Sequence, residues 1–132
     1  MKRIILGGLL AGLVLNIGEA VLHGVLLGDQ TTAALTTLGK DATGSPLGLT
    51  LLVLVTFAQG LTGVWLHAAT KLPAVAIGLA LWFLSAAYSA TYFYAGFPGV
   101  LPDSVVWWPV AWELIEYPLA MLAGAAVYKQ RS

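Results

Sequence analysis

The sequence has no cysteine and little charge: Asp, Glu, Lys and Arg make up 9% of its 132 residues, and the formal net charge is zero. The lack of cysteine excludes disulfides, thiolate metal sites and thiol catalysis. Zero net charge argues against a nucleic-acid partner. A soluble domain has roughly a quarter of its residues charged. With 59% hydrophobic residues, the chain is therefore expected to lie in a lipid bilayer.

Long apolar runs occur four times, each near the ~20 residues that a spanning helix needs. The predicted spans are residues 4–27, 47–69, 74–95 and 109–127. They predict an all-α fold, a four-transmembrane-helix bundle that forms a single transmembrane domain over residues 1–132.

Helix-capping residues and prolines lie near the ends of these spans. Ser45 and Pro46 predict an N-cap and a first-turn proline for the second span, and Pro73 predicts a first-turn proline for the third. The short link from Thr70 to Leu72 then forces spans two and three into an antiparallel hairpin. The fourth span is predicted to begin near Pro109.

A short interfacial helix is predicted in the first extracytoplasmic loop. Asp29 is its expected N-cap, the helix runs from Gln30 to Leu38, and Gly39 closes it. One face of this helix is apolar and carries Ala34, Leu35 and Leu38.

The basic residues predict the orientation by the positive-inside rule. Only Lys40 falls on the opposite side from the other five, which are Lys2, Arg3, Lys71, Lys129 and Arg131. Both termini are therefore predicted to be cytoplasmic, in a multi-pass protein of the cell inner (cytoplasmic) membrane. The outer interface of span four is marked by an aromatic belt of Trp107, Trp108 and Trp112.

A polar stripe interrupts the first span. Asn16, Glu19 and His23 are spaced by three and four residues, so they share one face of a helix. An ionisable side chain at membrane depth is costly and usually faces a protein interior or a water-filled cavity. This stripe is therefore the first candidate for a functional site.

The fourth span carries a matching stripe. Glu113, Glu116 and Tyr117 share a face that continues as Ala120 and Gly124. Span one has a similar run of small residues at Gly8 and Gly12, a pattern that allows close helix packing. We expect these small residues to bring the two carboxylate helices together.

Spans two and three add weaker polar stripes, from which Gln59 and Tyr88 are taken as candidates. The stripe of span two is Thr56, Gln59, Gly63 and His67, and that of span three is Ser85, Tyr88, Ser89 and Tyr92. Tyr88 and Tyr92 lie at matching outer depth. The full predicted ligand-binding set is Glu19, Glu113, Glu116, His23, Asn16, Tyr117, Tyr88 and Gln59. Carboxylate and imidazole ligands suit a hard or borderline divalent metal, for which the predicted ligands are Glu19, His23, Glu113 and Glu116. The same four side chains could equally form a hydrogen-bonded network that fixes helix register.

Two resemblances bear on these predictions. The residues from Ala11-Gly12 through Asn16 and Glu19 to Gly28-Asp29, with Ala111-Trp112-Glu113 late in the chain, resemble uncharacterised small bacterial four-span integral membrane proteins. That resemblance implies the fold and no activity. In size, in four spans and in its span-one Glu19, the chain also resembles the small multidrug resistance transporters, which exchange protons for cationic drugs at such a glutamate. Those transporters lack the acidic pair of span four and have a weaker charge bias.

Three functions remain open. The first is a cation-binding protein whose glutamates and His23 bind a proton, a metal or a small organic cation in an outward-facing cavity, with or without transport. The second is a non-catalytic accessory subunit of a larger membrane complex, in which the network is structural. The third is an enzyme with a Glu and His23 as general acid and base; it ranks last, because nothing in the sequence specifies a substrate. Four short helices enclose little space, so a homodimer is expected.

Overall fold

The computed structural model describes residues 1–39 and 45–129, which form helices and no strands. The helices are α1 (Lys2–Leu26), α2 (Gly28–Thr37), α3 (Pro46–Thr70), α4 (Ala74–Gly96) and α5 (Asp103–Lys129). All except α2 are long and apolar enough to cross a membrane. The predicted all-α fold with four spanning helices is confirmed, and it is the fold of a multi-pass membrane protein.

The four long helices alternate in direction. Gly7, near the start of α1, lies against the backbone of Gly124, near the end of α5. In the same way Gly12 lies against Phe57 of α3, and Gly78 of α4 lies against Pro118 of α5. The first and last residues described are therefore at one end of the bundle, and α2 is at the other.

The small residues of α1 do not act as predicted. Gly8 and Gly12 pack on α3, where Gly60 approaches both of their backbones, and Gly7 is the residue that meets Gly124 of α5. The prediction that Gly8 and Gly12 join the two carboxylate helices was wrong. The reason is that α1 has small residues on two faces, one for each neighbouring helix.

The turn between α3 and α4 has the predicted tightness. Ser45 caps α3 by accepting a hydrogen bond from the Gly48 N–H at 2.9 Å. Lys71 adopts a left-handed conformation with φ of 61° at the end of α3. The Nδ1 atom of buried His67 lies 2.6 Å from the Leu72 carbonyl oxygen and holds the turn closed. Pro73 occupies the N-cap position of α4, one residue before the predicted first turn.

The short helix α2 starts earlier than predicted. It begins at Gly28, its N-cap is Leu27, and Asp29 lies in the first turn without capping. Only the buried Leu27 separates α2 from the last turn of α1, so the chain passes almost directly from one helix into the next. The helix ends before Gly39, whose φ is 67°, as predicted.

One face of α2 packs only in part. Ala34 is buried, but Leu38 is 46% exposed and does not join the packed face.

Helix α5 also starts earlier than predicted. It begins at Asp103, so Pro109 lies inside the helix together with Pro118. Prolines are tolerated inside spanning helices, because neighbouring helices satisfy backbone groups that lose a partner. Pro109 leaves the Val105 carbonyl without its donor from within the helix. In the next turn Trp82 of α4 joins the two helices, because its Nε1–H donates to the Val110 carbonyl at 2.8 Å.

The outer surface of the bundle is apolar, as a lipid-facing surface must be. Large hydrophobic side chains such as Leu52, Leu84 and Ile115 are more than half exposed. Of the predicted belt, Trp107 and Trp108 are exposed, whereas Trp112 turns partly inward between α1 and α5. The predictions for Lys40 and Arg131 lie outside the described residues.

Candidate functional site

Glu19 and Glu113 line one cavity at the centre of the bundle, although they come from the first and last helices. The cavity has a volume of about 170 Å³ and is bounded by α1, α3, α4 and α5. Its polar lining consists of Glu19, Thr56, Gln59, Ser85, Glu113 and Tyr117. No Lys or Arg belongs to the lining, so two carboxyl groups share the space without a basic side chain.

A hydrogen-bonded chain forms one wall of this cavity. The Tyr117 hydroxyl donates to Gln59 Oε1 at 3.0 Å, and the Ser85 hydroxyl lies 2.9 Å from the same phenol oxygen. The chain therefore ties α3, α4 and α5 together. Thr56 satisfies its hydroxyl within its own helix by donating to the Leu52 carbonyl at 2.8 Å.

The two carboxyl groups have different surroundings. Glu113 is buried, with 8% of the residue exposed, and makes no side-chain hydrogen bond to another described residue. Glu19 is one-third exposed and pairs with His23, whose Nε2 lies 3.2 Å from Glu19 Oε2. Glu113 is thus the carboxyl without a direct partner.

The central cavity opens into two wider pockets toward the α2 end of the bundle. One pocket, of about 350 Å³, is lined by Glu113, Ser85 and His23 together with Thr31 and Leu35 of α2. The other, of about 530 Å³, lies between α1 and α3 and includes Glu19, His23, Asn16 and Thr56. His23 belongs to both pockets, so it stands at the entrance to the carboxyl pair.

The opposite half of the bundle is closed. Ala11, Leu15, Val64, Ala120 and Met121 are each no more than 1% exposed and form an apolar core. Below them, Gly7 and Gly124 bring the α1 and α5 backbones into contact. The site is therefore closed toward the end of the bundle that carries the first and last described residues.

Glu116 lies apart from this site. Its carboxyl packs directly over Gly18 of α1, in a groove that also contains Val14, Ile17 and Trp112. The sequence places Glu113, Glu116 and Tyr117 on one face, but α1 packs against that face and divides it. Glu113 and Tyr117 lie on the cavity side of α1, and Glu116 lies on the other.

Two other predicted residues do not reach the central cavity. Asn16 donates from Nδ2 to the Gly12 carbonyl of its own helix at 2.9 Å and lines only the lateral pocket. Tyr88 is 68% exposed on the outside of the bundle.

The position of Tyr88 follows from a π-helical segment in α4, Phe83–Ala87. The wider turn shifts the helix face by one residue, so that Ala86 and Ala90 are buried in place of the tyrosine stripe. Ser85, which the sequence placed in the same stripe as Tyr88, is the α4 residue that reaches the cavity. No residue pattern in the sequence marks this π-helical segment.

The predicted metal ligands are not gathered around one point. Within residues 1–39 and 45–129, no three side chains of His, Cys, Asp or Glu are placed to hold a metal ion together. Glu19 and His23 form a pair, Glu113 faces Glu19 across the cavity, and Glu116 lies behind α1. The arrangement is a pair of carboxyl groups around a small polar space.

Comparison of the chain with protein-family models, with curated proteins and with solved structures finds no match. The two resemblances drawn from the sequence therefore stay predictions, and the site is interpreted from its own chemistry.

Proposed function

We propose that this membrane protein binds a small organic cation between Glu19 and Glu113, in exchange with protons. The observation that carries the proposal is the central cavity, where two carboxyl groups face each other and no basic side chain forms part of the lining. Ionisable side chains at membrane depth are expensive and usually serve a function. A cation, or protons in its place, supplies the positive charge that the lining lacks.

The size of the cavity sets the size of the cation. A water molecule has about 30 Å³ of liquid volume, so a cavity of about 170 Å³ holds a cation of a few heavy atoms. Gln59 and Tyr117 add neutral hydrogen-bonding oxygens on the wall opposite α1. Because no three ligating side chains converge within the described residues, the proposal names an organic cation and not a metal.

The contacts of Glu113 favour binding over a purely structural network. A network that fixes helix register needs direct hydrogen bonds between its members, and Tyr117, Gln59 and Ser85 provide them. Glu113 has no such bond to a described residue, although it is buried. A buried carboxyl without a partner does not stabilise the fold, but it can bind a ligand.

His23 lies at the entrance of the site and interacts there with the charge of Glu19. It pairs with Glu19 and lines both pockets that lead inward. A cation that enters competes with His23 for the Glu19 carboxylate. Transport across the membrane needs, in addition, a second conformation that separates α1 from α5 at Gly7 and Gly124.

The test is calorimetric titration of the purified full-length protein in detergent with methylammonium, guanidinium and tetramethylammonium chlorides. At least one of these salts should bind with a stoichiometry near one. The Glu113→Gln variant should bind at least about tenfold more weakly, because it loses a charge-assisted hydrogen bond. Affinity should also fall as the pH is lowered, because protons compete for the same carboxyl groups.

Glu116→Gln is the matched control. It removes a buried carboxyl from the same helix, one turn away, without changing the cavity. Glu116 acts on Glu113 only through the electrostatic interaction of the two carboxyl groups, so the affinity of this variant should change far less than that of Glu113→Gln. If none of the three cations binds, or if Glu113→Gln binds as well as Glu116→Gln, the proposal is wrong.

A further inference from the structure

A second buried polar site lies on the other side of α1, in the groove between α1 and α5. The groove has a volume of about 390 Å³, and its walls are formed by Val14, Ile17, Val21, Ile115 and Leu119. Glu116 is 7% exposed and lines this groove, and neither of its carboxyl oxygens has a hydrogen-bond partner. The cavity proposed above does not use it.

Trp112 adds a second unpartnered group to the same groove. Its Nε1–H is buried one turn from Glu116 and approaches that carboxyl, but no hydrogen bond of good geometry joins the two groups. An indole N–H can only donate. Leaving such a group unpaired in an apolar setting is costly.

Gly18 forms the floor of the groove. A Cβ atom at this position would overlap the Glu116 carboxyl, so only glycine lets the carboxyl lie flat against α1. The groove is thus apolar along its walls and polar at one point on its floor.

The depth of Glu116 restricts what can meet it. The carboxyl lies near the middle of the 27-residue helix α5, about 20 Å from either end at about 1.5 Å per residue. Phospholipid headgroups lie at the membrane surface, and the hydrocarbon core is about 30 Å thick. The polar head of the ligand must therefore dissolve in the hydrocarbon core.

The two polar groups restrict its chemistry. Trp112 requires a hydrogen-bond acceptor, which an ammonium group does not offer. A carbonyl oxygen accepts from the indole N–H, and it also accepts from the Glu116 carboxyl in its neutral form. A neutral ligand additionally avoids bringing a charge to the centre of a bilayer.

The geometry points to a binding site in this groove for a neutral, membrane-soluble compound with a ring carbonyl, for which a quinone serves as the probe, with the carbonyl on Trp112 and Glu116 and the apolar tail along the α1–α5 walls. The groove is a separate space from the central cavity, because α1 lies between them.

The test is titration of the full-length protein in detergent with decylubiquinone, with hexadecylamine as the cationic alternative. Decylubiquinone should bind near one to one, and Trp112→Phe should weaken its binding about tenfold, the equivalent of one hydrogen bond. Glu116→Leu should weaken it at least as much. Glu116→Gln should stay within about threefold of the unmodified protein, because the amide N–H still donates.

Two controls make the result decisive. Trp107→Phe removes an exposed indole from the same helix, and Ser85→Ala alters only the wall of the central cavity; both should leave quinone binding unchanged. Should Glu116→Leu fail to fold, Trp112→Phe decides alone. The inference is overturned if decylubiquinone does not bind, if Trp112→Phe binds it as tightly as Trp107→Phe, or if hexadecylamine binds instead and is lost in Glu116→Gln.

Discussion

Glu113 and Glu116, three residues apart on α5, face two different spaces. Glu113 lines the polar cavity at the centre of the bundle, and Glu116 lies over Gly18 in the groove between α1 and α5. Three helical residues turn by about 300°, which leaves the two side chains on either side of the line where α1 packs. Two carboxyl groups that look like a pair in the sequence therefore belong to separate sites.

The contact between Gly18 and Glu116 predicts a steric cost. Gly18→Ala should destabilise the protein by about 1–3 kcal/mol, because the new methyl group occupies the position of the carboxyl. Gly24→Ala is the control on the same helix, where nothing lies within 4 Å. Unfolding in mixed micelles with increasing SDS measures both, and equal stability of the two variants would contradict the described position of Glu116.

Loss of the Tyr117 hydroxyl should lower the stability of the protein by a smaller amount. Tyr117→Phe removes the hydroxyl that connects Gln59 and Ser85, and side-chain hydrogen bonds between membrane helices contribute about 0.6–1.7 kcal/mol. The same unfolding assay should show that loss. Tyr88→Phe, which changes an exposed phenol on α4, should have no effect. Equal stability of Tyr117→Phe and Tyr88→Phe would contradict the described position of the hydrogen-bonded wall.

Gly60 tests the packing of α1 on α3. A methyl group there would overlap the backbones of Gly8 and Gly12, so Gly60→Ala should cost about 1–3 kcal/mol. Gly96→Ala, at the open end of α4 with nothing within 4 Å, should change stability by less than about 0.5 kcal/mol. If α1 and α3 tolerate Gly60→Ala as well as Gly96→Ala, the close approach of the two helices is wrong.

The sequence predicted the spans well because hydrophobicity alone determines them. The four apolar runs, the cap at Ser45 and the left-handed Gly39 follow from local rules that need no neighbouring helix. The starts of α2 and α5 were wrong because they depend on packing. Leu27 is buried at the junction of α1 and α2, and Pro109 lies inside α5 without ending it.

The site was predictable only in part for the same reason. Helical spacing grouped Glu19, Glu113, Tyr117 and Gln59, which line the central cavity, with His23, which is exposed beside it. Spacing cannot show where a neighbouring helix divides a face. Glu116 was therefore grouped with Glu113. Tyr88 was misplaced because the π-helical segment Phe83–Ala87 shifts the register of α4, which no residue pattern announces.

The absence of cysteine makes orientation directly testable. Single cysteines at Asp29 and Asp103 lie at the α2 end of the bundle, and one at Lys71 lies at the other end. If both termini are cytoplasmic, a membrane-impermeant maleimide applied to intact spheroplasts should label D29C and D103C. Labelling of K71C should require permeabilised membranes. Labelling of K71C in intact spheroplasts would mean that the orientation is reversed.

The most direct test of the central claim is a double-mutant cycle on cation binding. If Glu19 and Glu113 hold one cation in one cavity, the two substitutions share a single binding event. Glu19→Gln and Glu113→Gln should each weaken binding at least about tenfold, and the double variant should lose much less than the product of the two. Strictly multiplicative losses would mean that the two carboxyl groups act separately, which would contradict a shared site.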